Sequence, residues 1–284
     1  MTDLRIERVA ILERFLEAAK AGKRQMGIST GINSPISIEI AAQMGFGWVI
    51  ADMEHTLMTG TQMIDVIRSA EWARLPVFVK VNTGSSVELR DALDAGASGI
   101  QMPNTNTPDD VRSALEHMRY AHQQGTRGVC PVARTSFYGV GHYEEAEGWY
   151  RRDDEMAKAA LLMPTIETGE AIDNIDALME IEECPIWHIG PADLASSLGL
   201  SGSDEDMKEL RKAVLWTTRK IQAAGKLACQ GVITPPSYTT EETAEMLALI
   251  DLPYTLDTTC MAHGMWHLQQ ANKVVLDKLK DSRE

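Results

Sequence analysis

Two short motifs set a carboxylate just beyond an apolar run. The run Leu161–Ile166 contains Pro164 and Thr165 and is followed by Glu167, and the run Pro185–Ile189 is followed by Gly190, Pro191, Ala192 and Asp193. If the two runs are adjacent strands, their carboxylates can converge on one hard cation. Two carboxylates with open positions suit Mg²⁺ or Mn²⁺, which complete their octahedra with water or ligand oxygens. Each acid has a plainer reading as well: Glu167 as an acid favoured by a helix N-terminus, and Asp193 as a helix cap. His55 stands in Asp52-Met53-Glu54-His55. Neighbouring carboxylates can orient such an imidazole as a general base, although a histidine near a strand end is more often structural. Lys80 and Asn82 close a further run. His263 and His267 have helical spacing but no third ligand type beside them, and they read as structural.

The elements that must position these residues alternate along the chain. Apolar runs occur at Gln25–Ser29, Trp48–Met53, Pro76–Val81, Gly99–Met102, Leu161–Ile166, Pro185–Ile189, Lys226–Val232 and Tyr254–Asp257. Several are almost continuously apolar, as strands covered on both faces are. Helical periodicity separates them at 34–44, 61–73, 85–95, 108–122, 169–181, 204–224 and 240–249, and further helices are expected at 4–21 and 264–284. This alternation has the arithmetic of a single-domain α/β (β/α)8 TIM barrel spanning residues 1–284. The rival, a doubly wound open sheet, would normally carry a glycine-rich phosphate loop, and neither GxGxxG nor GxxxxGK[ST] is present. In a barrel the chemistry sits at the C-terminal ends of the strands, where Asp52, Glu54, His55, Lys80, Glu167 and Asp193 would share one rim. The fourth and fifth runs are unusually far apart. The excess, 123–154, is rich in Gly, Arg and aromatics, and reads as an ordered loop beside the barrel mouth.

The chain has 284 residues and a net charge of −14. That balance argues against nucleic acid and against anionic membrane surfaces as partners, while a small anionic ligand remains compatible with local cations or a metal. Cys130, Cys184, Cys229 and Cys260 form no CxxC pair and read as free thiols in a reducing compartment. The charged N-terminus has no signal-like apolar segment, and no window is apolar enough to span a membrane, so a cytoplasmic location is expected.

Five motifs in order carry a family resemblance: WVIADMEHT, LDAGASGIQMP, GTRGV followed by AR, PTIETGEAIDNID and IGPADLASSLG. Over about Gly27 to Thr259 the chain resembles the HpcH/HpaI aldolases, class II pyruvate aldolases related to the citrate lyase beta subunit. The resemblance implies a divalent-metal-dependent aldehyde-lyase that cleaves or forms 4-hydroxy-2-oxo acids. The products would be pyruvate, or a similar 2-oxo acid, and an aldehyde, through an enolate that the cation stabilises. It implies Mg²⁺ or Mn²⁺, with Co²⁺ a further candidate, held by Glu167 and Asp193. His55 would be the base, oriented by Asp52 and Asp94, and Lys80 would also be catalytic. Thr165, Gly190, Pro191 and Ala192 would contact substrate, the last through backbone N–H groups at a helix start. No cofactor-binding loop is implied. A homo-oligomer is, either a hexamer or a trimer of dimers, with the last helix exchanged between subunits. The aldehyde side would be shaped by 137–150. The chain departs from the family pattern at Lys80, where arginine is usual, and at Thr165, where glutamine is usual, so an altered substrate is expected. The alternatives are another metal-enolate lyase, of decarboxylase or retro-Claisen type, and a non-catalytic metabolite-binding relative.

Overall fold

Eight short strands, nearly all of whose side chains are buried, alternate their residues between two apolar surfaces. They are β1 (Gly27–Ser29), β2 (Trp48–Asp52), β3 (Val77–Lys80), β4 (Gly99–Met102), β5 (Leu161–Ile166), β6 (Ile186–Ile189), β7 (Leu227–Gly231) and β8 (Leu252–Leu256). In the computed structural model, which describes residues 4–139, 157, 159–231 and 240–281, they pair in parallel in chain order, and β8 closes onto β1. The result is the expected (β/α)8 barrel.

Alternation in a parallel strand sends successive side chains to opposite faces. One face of the barrel wall, with Val49, Ala51, Val79, Ile100, Leu162 and Ile189, packs against Val66, Ile67, Leu89 and Val111 of the surrounding helices. The other face fills the barrel: Trp48, Ile50, Phe78, Met163, Ile186, Cys229 and Leu252 form a second cluster. Helix α1 (Leu4–Lys20) closes the base of this interior through Leu12 and Phe15, the Phe15 ring lying 6.2 Å from both Trp48 and Phe78.

The registers also sort the interior residues by height. Rising one residue for each strand crossed, the path from Ser29 passes Lys80, Thr165 and Gly231 and returns to Ser29. These four form one inward layer on the odd strands. The layer beneath, on the even strands, is Ile50, Gln101, His188 and Tyr254. Layers of four residues from alternate strands are what a barrel of this stagger produces.

Helices α2 (Pro35–Gln43), α3 (Gly60–Trp72), α4 (Ser86–Asp94) and α5 (Pro108–Met118) begin at the rim and descend. Their starts are encoded locally. Ser34 and Ser85 accept from first-turn N–H groups, and Thr59 with Gln62 and Thr107 with Asp110 make full capping boxes. The crossover from β5 to β6 holds α6 (Gly169–Asp173) and α7 (Ile175–Met179) where one helix was expected. The β6–β7 crossover adds an unexpected short helix, α8 (Pro191–Ser197), ahead of α9 (Asp204–Ala223). Helix α10 (Thr240–Leu247) precedes β8, and α11 (Asp257–Asp281) follows it without a loop, so the final helix begins well before the expected residue 264.

The described part of the long insertion overturns its expected position. It lies at the base, not beside the mouth. Helix α5 carries the chain downward, after which Arg127 pairs with Asp94 at 2.5 Å and Arg134 donates to the Ala95 carbonyl at 2.7 Å, both at the lower end of α4. Arg134 and Arg8 also grip Glu71 near the lower end of α3. Burial alone would raise the Glu71 pKa, but hydrogen bonds and charge from the two arginines hold it below the ordinary carboxylate value. The rest of the expected aldehyde-side loop, 140–150, lies outside the described residues.

The Trp48 indole occupies the space where Gly27 would carry a Cβ. Gly27→Ala is therefore expected to destabilise the barrel by about 1–3 kcal/mol, the usual cost of overfilling a packed core. Chemical denaturation read by Trp fluorescence checks this, with an unchanged midpoint as the contrary result.

Candidate active site

The rim assembles from the ends of β2, β3, β5 and β6. After β2 the chain makes a turn governed by the buried Asp52. Its Oδ1 accepts the backbone N–H groups of Glu54 at 2.9 Å and His55 at 3.0 Å, and the Thr56 hydroxyl donates to its carbonyl. Asp52 thus positions His55 through the main chain. The ring itself meets Glu54, with Nε2 at 3.3 Å from Oε2, and the histidine side chain is 59% exposed. The same Glu54 oxygen lies 2.6 Å from Lys80 Nζ. Glu54 therefore links the candidate base to the only lysine on the inward face of β3.

Glu167 follows β5, and burial is the main force on it. Desolvation raises its pKa above the ordinary value, an N–H···O bond of 2.5 Å from Asn104 works against this, and the charges of Asp193 and Glu54 add to the rise while Lys80 opposes it. The glycine at position 190 is required here: a Cβ would stand 2.6 Å from Glu167 Oε2. Asp193 lies in the first turn of α8, whose N-cap is Gly190, so it is not itself the cap. Gly190 offers no side-chain cap, and Pro191 has no N–H. The N–H groups of Ala192 and Asp193 consequently have no partner within the helix.

The expected residues are thus mostly neighbours. Glu167, Asp193, Lys80 and, through Glu54, His55 face one another, Thr165 lies just inside them, and Gly190, Pro191 and Ala192 border them. Asp94 stands apart. It ends α4 at the base and is bound to Arg127, whose side chain is 2% exposed, so within this chain it has no contact with His55. Glu54 proves more central than the sequence suggested, and Gln101, His188 and Tyr254 were missed. Their signal was present as polar residues at inward-facing positions of apolar strands. His188 Nε2 is 2.9 Å from the Tyr254 hydroxyl, and burial, with Lys80 a lesser cause, pushes the imidazole down to about 3, so it is neutral.

A buried carboxylate facing two other acids, with a glycine clearing its approach, fits a hard divalent cation with open positions. Among the described residues no group of three His, Cys, Asp or Glu is gathered into a complete ligand set. Glu167 and Asp193 would thus leave most positions to water or substrate oxygens. No helix among those residues is long and apolar enough to cross a membrane.

A closed parallel barrel with an acidic rim at its C-terminal end defines a (β/α)8 enzyme. Residues 25–248 match the HpcH/HpaI aldolase/citrate lyase family, and the chain belongs to it. It is 30% identical over 213 residues to a hydroxypyruvate/pyruvate aldolase of Sagittula stellata, a match covering 75% of this chain and 80% of that protein. It is also 30% identical over 260 residues to a 4-hydroxy-2-oxo-heptane-1,7-dioate aldolase of Salmonella dublin, covering 88% and 90% of the two chains. A crystal structure of a family protein from Burkholderia cenocepacia J2315 superposes with a TM-score of 0.78 at 22% identity, covering 90% of this chain and 98% of that one.

A carboxylate with a raised pKa destabilises the fold at neutral pH when ionised, and the cost vanishes as pH falls through that value. Glu167→Gln is accordingly expected to raise the melting temperature of exhaustively chelated protein at pH 7, with an advantage that shrinks on acidification. Mn²⁺ should then raise the melting temperature of the wild type more than that of the variant. A variant that melts lower without metal would contradict this account of the rim.

Proposed function

We propose that this chain is a divalent-metal-dependent aldolase that cleaves or forms 4-hydroxy-2-oxo acids, with pyruvate or a similar 2-oxo acid and an aldehyde as the other partners. The supporting observation is the meeting of Glu167 and Asp193 at the rim, beside a lysine and a histidine joined through Glu54. The activities in the names of the two relatives point the same way.

Breaking the C3–C4 bond leaves negative charge shared between C3 and the 2-oxo oxygen, and it requires removal of the 4-hydroxyl proton. A divalent cation held by Glu167 and Asp193 would supply charge stabilisation at the 2-oxo oxygen. Lys80 presents a further cation to that charge as a single-point donor, and its contact with Glu54 keeps the nitrogen in an ion pair and out of covalent chemistry. With His55 Nε2 turned to Glu54, Nδ1 is the nitrogen left to take the 4-hydroxyl proton. The Ala192 and Asp193 N–H groups suit the substrate carboxylate. Assembly belongs to the same reading: α11 exposes Met265, Leu268, Val274 and Val275, a face that a second copy would cover.

Glu167→Gln and Asp193→Asn are each expected to abolish pyruvate release from a panel of 4-hydroxy-2-oxo acids and to remove Mn²⁺ binding by calorimetry. His55→Ala should lower kcat by at least ~10²-fold with metal affinity unchanged. Full turnover after exhaustive chelation would refute the metal assignment. Ligand-induced stabilisation by pyruvate and Mn²⁺ without any turnover would make the chain a metabolite-binding relative.

Lys80→Arg should retain measurable aldolase activity, and Lys80→Ala should lose most of it. Borohydride with pyruvate should add no mass to the peptide containing Lys80. An adduct there would replace this mechanism with a lysine Schiff base.

A further inference from the structure

Away from the rim, the barrel chemistry leaves one motif unused: His263 and His267, one turn apart on α11. Their rings lie 4.5 Å apart between centroids with 24° between their planes, and the two Nε2 atoms face each other at 2.6 Å. Trp266 meets the His267 ring edge-on at 5.0 Å. Neither histidine is buried, so the pair fastens no part of the core. Read as a hydrogen bond, the contact joins two solvent-facing groups of one helix and is worth only about 0.5–1.5 kcal/mol net. It also needs one ring as donor and the other as acceptor. With each ring proton on Nδ1 instead, both Nε2 lone pairs point at one place, and a cation can accept the two together.

Two histidines at i and i+4 on one helical face are the pair that zinc-binding helices present to their metal. Geometry and donor type narrow the ion here. Nitrogens at about 2.0–2.1 Å from a tetrahedral ion stand about 3.3 Å apart, whereas neighbouring positions of a tetragonal ion bring them to about 2.9 Å. The second arrangement is closer to the 2.6 Å seen here, and a shift of a few tenths of an ångström in either ring reaches it. Tetragonal nitrogen and oxygen sites suit Ni²⁺ and Cu²⁺, for which imidazole affinity is also high in the divalent series. The chain's net charge of −14 favours the approach of any cation. The pair stays accessible in an assembly as well. At about 100° per residue it is out of phase with the exposed Met261, Met265 and Leu268, so a second copy seated on that stripe leaves the histidines to one side.

We propose that His263 and His267 form a second metal site, a two-nitrogen chelate for Ni²⁺ or Cu²⁺ on the final helix. It differs from the rim in metal preference, because the rim offers carboxylates, which suit Mg²⁺ and Mn²⁺, and the helix offers imidazoles. Two protein ligands leave the other positions to water, in keeping with the lack of any group of three ligating side chains among the described residues. The site does not depend on the aldolase reading.

The test titrates Ni²⁺ calorimetrically into the full chain in excess Mg²⁺, which fills oxygen sites and competes poorly for imidazole. The wild type is expected to take up one Ni²⁺ per chain at this pair. His263→Gln and His267→Gln should each weaken that uptake by at least ~10²-fold, because either change turns a chelate into a single ligand. Both positions lie outside the core, so the melting temperature in Mg²⁺ alone should not move. His55→Ala, which removes the exposed histidine of the rim, should leave the uptake in place. With Cu²⁺ in place of Ni²⁺, the electron paramagnetic resonance spectrum should show coupling to two imidazole nitrogens in the wild type and to one in either glutamine variant. No Ni²⁺ uptake in excess Mg²⁺, uptake unchanged in either glutamine variant, or uptake lost in His55→Ala overturns the site and leaves the pair as a hydrogen bond between neighbours on a helix.

Discussion

The stagger with which eight strands close on one another decides where every polar group of this protein can act. Closure fixes the height of each residue, and strand alternation fixes whether it faces the axis or the helices. Asp52, Lys80 and Thr165 face the axis because Trp48, Phe78 and Met163 do, on the same strands and at even spacing below them. A one-residue slip in any strand would exchange its inward and outward sets. The chemistry at the top and the aromatic packing at the bottom are thus two ends of one constraint, anchored where Phe15, Trp48 and Phe78 meet.

Above that anchor the rim is organised by shared acids more than by isolated catalytic groups. One oxygen of Glu54 serves both Lys80 and His55, and one oxygen of Asp52 serves two main-chain N–H groups of the turn that carries them. The two carboxylates act on His55 by different routes, one holding its ring and the other its backbone. Glu167 differs again: among the described residues its one N–H donor is Asn104, and its neighbours are acidic. That imbalance is the feature that invites a cation.

Much of this was legible from residue order. The near-continuous apolar runs marked the strands because both strand faces are covered, and Ser34, Thr59 and Thr107 marked helix starts because their hydroxyls satisfy first-turn N–H groups. Glu167 and Asp193 could be placed at one rim because each closes a run. What could not be read was anything that depended on which end of a helix a side chain occupies in space. Asp94 sits in a motif beside a strand, yet helix direction carries it to the base and into the hands of Arg127. The insertion after α5 looked like a mouth loop because it is long and aromatic, but its arginines find their carboxylate and carbonyl partners below. The inward polar layer was hidden for another reason. Gln101 and His188 each interrupt a strand that still reads as buried, and only the register shows them to be neighbours of Lys80 and Thr165.

The grip of Arg8 and Arg134 on Glu71 has a consequence for how the molecule meets acid. Those hydrogen bonds depress the Glu71 pKa, so their contribution is kept until the pH has fallen below the ordinary carboxylate range. Glu167 is shifted the opposite way and takes up its proton earlier. The two carboxylates therefore take up protons in order, Glu167 at the rim before Glu71 at the base. Acid thus reaches the buried charge of Glu167 first, while at the opposite end of the barrel the clamp of Arg8 and Arg134 on Glu71 still holds.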